Sequence, residues 1–73
     1  MTVIHLAQVG NSIEAHLVDS AYFDTHLISY SVRTPTRDEA LDRQLQYIPH
    51  TKKVLVLDHD RDVTFYAFGS RRP

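Results

Sequence analysis

Three groups of carboxylates and histidines in this chain have spacings that could do chemistry. The first is Asp58-His59-Asp60, directly after the apolar run Val54-Leu55-Val56-Leu57. Two carboxylates one residue apart at a strand end can supply a nucleophile and an acid/base to the same reacting group. The second is Asp58, Asp60 and Asp62, the spacing that opens a calcium-binding loop. Such a loop needs glycine at its sixth position and an acid at its twelfth. Here those positions hold Val63 and Gly69. The third is His5 and His16. Paired imidazoles can share a zinc or nickel ion, given a third ligand, for which Glu14 is the nearest candidate. They can also serve as a pH switch, because protonation sets like charges side by side.

The Val54–Asp60 segment looks like the first motif of haloacid-dehalogenase-type phosphatases. That resemblance implies a Rossmann-like domain with further motifs downstream, yet only 13 residues follow Asp60. The expectation is therefore a solvated hairpin tip. No serine, histidine and aspartate fall in a nucleophile elbow. With only Gly10 and Gly69, the chain has no phosphate-cradling loop. The reading is non-enzymatic, with no cofactor and no metal, His5 and His16 being the weak metal candidates.

The elements that would position these residues are legible. Thr2–Val9 and Ser12–Asp19 flank Gly10-Asn11, which suits a two-residue type II′ turn. That turn sets Ile4 opposite Leu17 and Leu6 opposite Ala15 on one face. It sets Val3 opposite Val18 and His5 opposite His16 on the other. Asp19–Thr25 reads as a connection, and His26–Arg33 alternates as a third strand. Thr36 and Glu39 fit a capping box that opens a helix. Its apolar stripe is Ala40, Leu41, Leu45 and Ile48, and Pro49 ends it. Lys52–Asp58 and Val63–Phe68 form the last two strands around a tip at Asp60-Arg61. The expected fold is α+β, a single mostly antiparallel five-stranded sheet with one helix on one face, in the order β-β-β-α-β-β. The helical connection can place the fourth strand parallel to the first.

At 73 residues the chain is a single domain, 1–73, with Gly69 to Pro73 expected as a flexible tail. Domains this small bury only about 60% of their unfolded surface and lean on staples or association. No cysteine is present, so disulfides and thiolate metal sites are excluded. Cysteine absence fits a reducing cytoplasm. The N-terminus lacks the pattern of a secretory signal, and no apolar run approaches the roughly 20 residues that span a bilayer. The expectation is a cytoplasmic protein. The formal net charge of −1 argues against a dedicated nucleic-acid binder.

The last hairpin is apolar on both sides. Val54, Val56, Phe65 and Ala67 share one face, while Leu55, Leu57, Tyr66 and Phe68 share the other. One helix covers one face, so the second set calls for another cover. A second subunit or a target protein is the natural candidate, and closure within the monomer by Tyr22 and Phe23, or by the tail, is the alternative. The expected contact residues are Leu55, Leu57, Tyr66 and Phe68, with His5 and His16, and with Arg37 and Arg43 as a polar rim. A nucleic-acid-binding regulator would instead use Arg33, Lys52, Lys53, Arg71 and Arg72.

The β-β-β-α order, with a capped helix after the third strand, resembles the partial RNase H-like fold of HicB-type antitoxins. The first strand has no carboxylate of the kind RNase H-type nucleases use there. Size and organisation also look like small phage-encoded inhibitors such as anti-CRISPR proteins. Both likenesses imply a compact cytoplasmic domain, in a host cell if phage-encoded, with one binding surface. The function expected is a protein-binding module, an inhibitor or regulator, working as a homodimer or through an exposed sheet face.

Overall fold

The first hairpin forms in the register its turn dictates. The computed structural model describes residues 1–20 and 27–72. Strand β1 (Thr2–Val9) pairs antiparallel with β2 (Ser12–Ser20), with Val9 opposite Ser12 and Ile4 opposite Leu17. Gly10 has φ 60° while Asn11 stays at negative φ, the type II′ pattern. Strand β3 (Leu27–Thr34) adds to β2, also antiparallel. His26, expected to open it, and the lid candidates Tyr22 and Phe23 lie outside the described residues.

Helix α1 (Arg37–Leu45) begins where the capping signal places it. The Thr36 side chain accepts a hydrogen bond from the Glu39 backbone N–H at 3.3 Å. The helix carries the chain back across the sheet, so β4 (Lys53–Asp58) docks parallel to β1. Strand β5 (Val63–Phe68) then closes the second hairpin, with Val56 opposite Phe65 and Asp58 opposite Val63. The sheet order is β3-β2-β1-β4-β5, one mixed sheet with a single parallel pair.

The alternating residues Thr2, Ile4, Leu6, Ile13, Ala15, Leu17, Val54 and Val56 are buried beneath Ala40, Leu45 and Ile48. The helix packs on β1, β2 and β3. It does not extend over β5, so Phe65 and Val63, on the covered side of the sheet, remain 39% and 45% exposed. Gln44 is wholly buried and donates from Nε2 to the Ala15 and Tyr30 carbonyls at 2.7 and 3.1 Å. Its Oε1 is buried without a hydrogen-bond partner.

Ends of β2, β3 and β4 shift by one residue from the sequence reading, and two regions differ by more. The helix stops at Leu45, and the stretch to Ile48 tightens into i→i+3 bonds, Tyr47 to Gln44 and Ile48 to Leu45. Of the segment expected as a flexible tail, Gly69 to Arg71 are docked. The backbone N–H groups of Gly69, Ser70 and Arg71 donate to the Lys52, Leu45 and Ile48 carbonyls, and Arg71 bridges to Pro49. Docking satisfies carbonyls that the helix end leaves open. It also needs a glycine. A Cβ at position 69 would sit 2.2 Å from the Ile48 and Pro49 carbonyl oxygens.

Candidate functional site

Asp58 and Asp60 belong to an ion-pair network that ties the helix to the second hairpin. Arg37, in the first turn of α1, donates from Nε to Asp58 and from Nη2 to Asp60, each at 2.9 Å. Asp60 also accepts from the Gln8 backbone N–H at 2.6 Å, and Asp58 from the Arg61 N–H at 3.3 Å. The expected solvated tip therefore does not describe Asp58, which is buried. Its carboxylate is held by a guanidinium, an arrangement that fixes it rather than freeing it to attack. An open cleft of about 490 Å³ lies beside this network, lined by Gln8, Thr36, Arg37, Asp38 and Arg61.

His5 and His16 are cross-strand neighbours, as the turn requires. Their rings engage different partners. His16 takes Ser29 Oγ at Nε2 and Ser31 Oγ at Nδ1, at 2.6 and 2.8 Å. The His5 and His59 rings lie edge to edge and nearly coplanar, at 9°, with centroids 5.0 Å apart and His5 Nδ1 2.7 Å from His59 Nε2. One of those two nitrogens must carry the proton and the other must be bare. Burial first, then the His59 and His16 rings, hold His5 below the ordinary histidine value. Sequence reasoning missed His59. Its only signal was the parallel β1–β4 pairing, which brings the end of β4 beside His5. Among the described residues, no three His, Cys, Asp or Glu side chains gather as a metal site.

The face opposite the helix has no cover among the described residues. Its cross-strand rows follow from the register. One reads Ser29, Val18, Val3, Leu55, Tyr66, and the next Ser31, His16, His5, Leu57, Thr64. The face is thus polar at β3, histidine-lined in the middle and apolar at β4–β5. Leu55 and Leu57 are half-buried, while Tyr66 and Phe68 are 63% and 61% exposed. Six of the expected contact residues, Leu55, Leu57, Tyr66, Phe68, His5 and His16, therefore share one face. Arg37 and Arg43 do not rim it. They sit on α1, across the sheet, where Arg37 is spent on Asp58 and Asp60 and Arg43 is exposed.

The basic residues divide as well. Tail docking gathers Arg71 and Arg72 near Lys52 and Lys53 at one end of the sheet. Lys53 Nζ stands 4.1 Å over the Tyr66 ring. Lys52 pairs with Asp19 at 3.4 Å. Arg33 is separate, paired with Glu14 at 3.2 Å. On the helix side Tyr30 and Tyr47 stack at 5.8 Å, beside a cleft of about 260 Å³ that reaches Lys52 and Arg71.

No family model, no curated protein and no solved structure matches this chain. Among the described residues no helix is long and apolar enough to cross a membrane.

Proposed function

We propose that this protein is a non-enzymatic protein-binding module, a small inhibitor or regulator that occupies a surface of a partner through the uncovered face of its sheet. The observation that carries this reading is the display of Tyr66 and Phe68 beside half-buried Leu55 and Leu57, with no helix over them. Exposed aromatics next to a shallow apolar floor are the residue types that dominate binding energy at protein interfaces. The engagement of Asp58 and Asp60 by Arg37 supports a structural role for that carboxylate pair. A cysteine-free chain suits a reducing compartment, and the cytoplasm is the setting we propose. The likeness to HicB-type antitoxins and anti-CRISPR inhibitors belongs to this proposal and is architectural.

A second reading has its own observation. Tail docking places Lys52, Lys53, Arg71 and Arg72 at one end, with Tyr66 under Lys53. Cations interleaved with aromatics are the components of a single-strand nucleic-acid platform. Salt separates the two readings, because phosphate contacts weaken steeply with ionic strength and an apolar interface does not.

The test compares wild type with Leu57→Glu, each checked for fold by circular dichroism, as baits for host proteins at about 0.1 and 0.5 M salt. The expected result is one stoichiometric protein partner, kept at high salt and lost with Leu57→Glu. Equal retention by both baits would overturn the face assignment. Tight binding to a labelled single-stranded oligonucleotide that collapses with salt would move the conclusion to the second reading.

A further inference from the structure

Strand β5 has a second unused surface, independent of the open face: its outer backbone edge. The Gly69 N–H bonds to the Lys52 carbonyl. In an antiparallel ladder the bonded pairs alternate. Given the register, Val63, Phe65 and Ala67 direct their N–H and C=O groups to β4, in phase with the Gly69 N–H. Thr64, Tyr66 and Phe68 direct theirs outward, where the sheet ends. Sheet edges in soluble proteins are ordinarily guarded by charge, proline, glycine kinks or bulges. Val-Thr-Phe-Tyr-Ala-Phe has no charge, proline or glycine, and its pairing with β4 runs without a bulge. The other edge, β3, shows Ser29, Ser31 and Arg33 and leads into Pro35.

We propose that the outer edge of β5 pairs antiparallel with β5 of a second copy, joining two sheets into one of ten strands. Two features of the strand select a second copy as the occupant. The first is self-complementarity. With Tyr66 on the two-fold axis, Tyr66 faces the partner's Tyr66, and Thr64 faces the partner's Phe68. All outward N–H and C=O groups of both strands are then satisfied by six hydrogen bonds, and no other two-fold register satisfies them all.

The second feature is charge. The turn end of β5 carries Asp60, Arg61 and Asp62, net acidic, and its other end leads to Arg71 and Arg72. Among the described residues no ion pair within the protomer engages Asp62, Arg71 or Arg72. Antiparallel pairing brings the acidic end of each copy toward the basic end of the other. The pairing also sets the two open faces side by side, so the dimer presents the surface of the proposed function twice.

Sedimentation of the purified chain over a concentration series tests this. Pairing of two six-residue edges is a small interface, so a reversible dimer is expected rather than a permanent one. Thr64→Pro removes an outward N–H without touching the β4 ladder, and should weaken the dimer at least about tenfold with the fold intact. A short bis-maleimide reads the register. Tyr66→Cys should cross-link alone, its axis-related positions lying about 5.5 Å apart at Cα. Thr64→Cys and Phe68→Cys should cross-link only when mixed, since each lies about 14 Å from its own copy.

A monomeric wild type at about 0.5 mM would overturn the proposal. So would undiminished dimerisation of Thr64→Pro, or cross-linking of Thr64→Cys by itself. Leu57→Glu should remain dimeric, so loss of the partner and loss of the dimer report on different surfaces.

Discussion

Arg37 is the side chain on which the junction of helix and second hairpin depends. It reaches from the first helical turn to a buried carboxylate and an exposed one, at 2.9 Å each. Arg37→Ala would leave Asp58 buried with only Arg61 nearby, at 3.9 Å. The expected loss is about 2 kcal/mol in urea unfolding, because a buried charge loses its main partner. Adding Asp58→Asn to that variant should recover part of the loss, since no buried charge is then left unpaired. A double variant as unstable as the sum of the two singles would show that the pair is not coupled.

His5 makes a prediction of opposite chemistry. Its folded value is held below 6.5, so the unfolded chain binds the proton more readily. Stability from this group is complete above that ordinary value and is lost as pH falls through the depressed one. The groups facing it are His16 on β2, His59 on the β4–β5 turn and Leu57 on β4, with Glu14 further along the same face and held by Arg33. Wild type should therefore lose more stability between about pH 7.5 and pH 5.5 than His5→Gln does. Equal losses would mean that the His5–His59 pair does not sense protons.

At the scale of elements, what was legible was local. Gly10-Asn11 and the Asp60-Arg61 tip set the registers of both hairpins, and Thr36 with Glu39 set the helix start. Each is a short-range signal, carried by a turn or a cap within a few residues. What was hidden depends on distant partners. Nothing near Gly69 says that the Ile48 and Pro49 carbonyls will come within 2.2 Å of its missing Cβ. Nothing near Gln44 says that it will reach two strand carbonyls. The tail thus works as a strap over the helix end, and Gly69→Ala should destabilise the fold by about 2 kcal/mol, with backbone displaced on both sides. Amide exchange is the direct readout. The Ser70 and Arg71 N–H groups, protected in wild type by Leu45 and Ile48, should exchange freely in the variant. Retained protection would show that the loop at Ile48–Pro49 yields without releasing the tail.

At the scale of the whole molecule, helix placement decides which residues are left for function. Periodicity assigned residues to two sheet faces correctly, but the helix footprint was not in the pattern. Nine helical residues span about 13 Å, enough for three strands and not five. The helix covers β1 to β3, so β5 is left exposed on both faces and along its outer backbone. For so small a domain, the pairing proposed above links stability to association. A species that forms only from folded chains draws the folding equilibrium with it, contributing about 2.7 kcal/mol at a hundredfold excess over the dissociation constant. The urea midpoint of wild type should accordingly rise with protein concentration. That of Thr64→Pro should be lower at high concentration and nearly independent of it. A wild-type midpoint that does not move over a hundredfold range in concentration would make the protomer self-sufficient, with β5 held open for a foreign strand or surface.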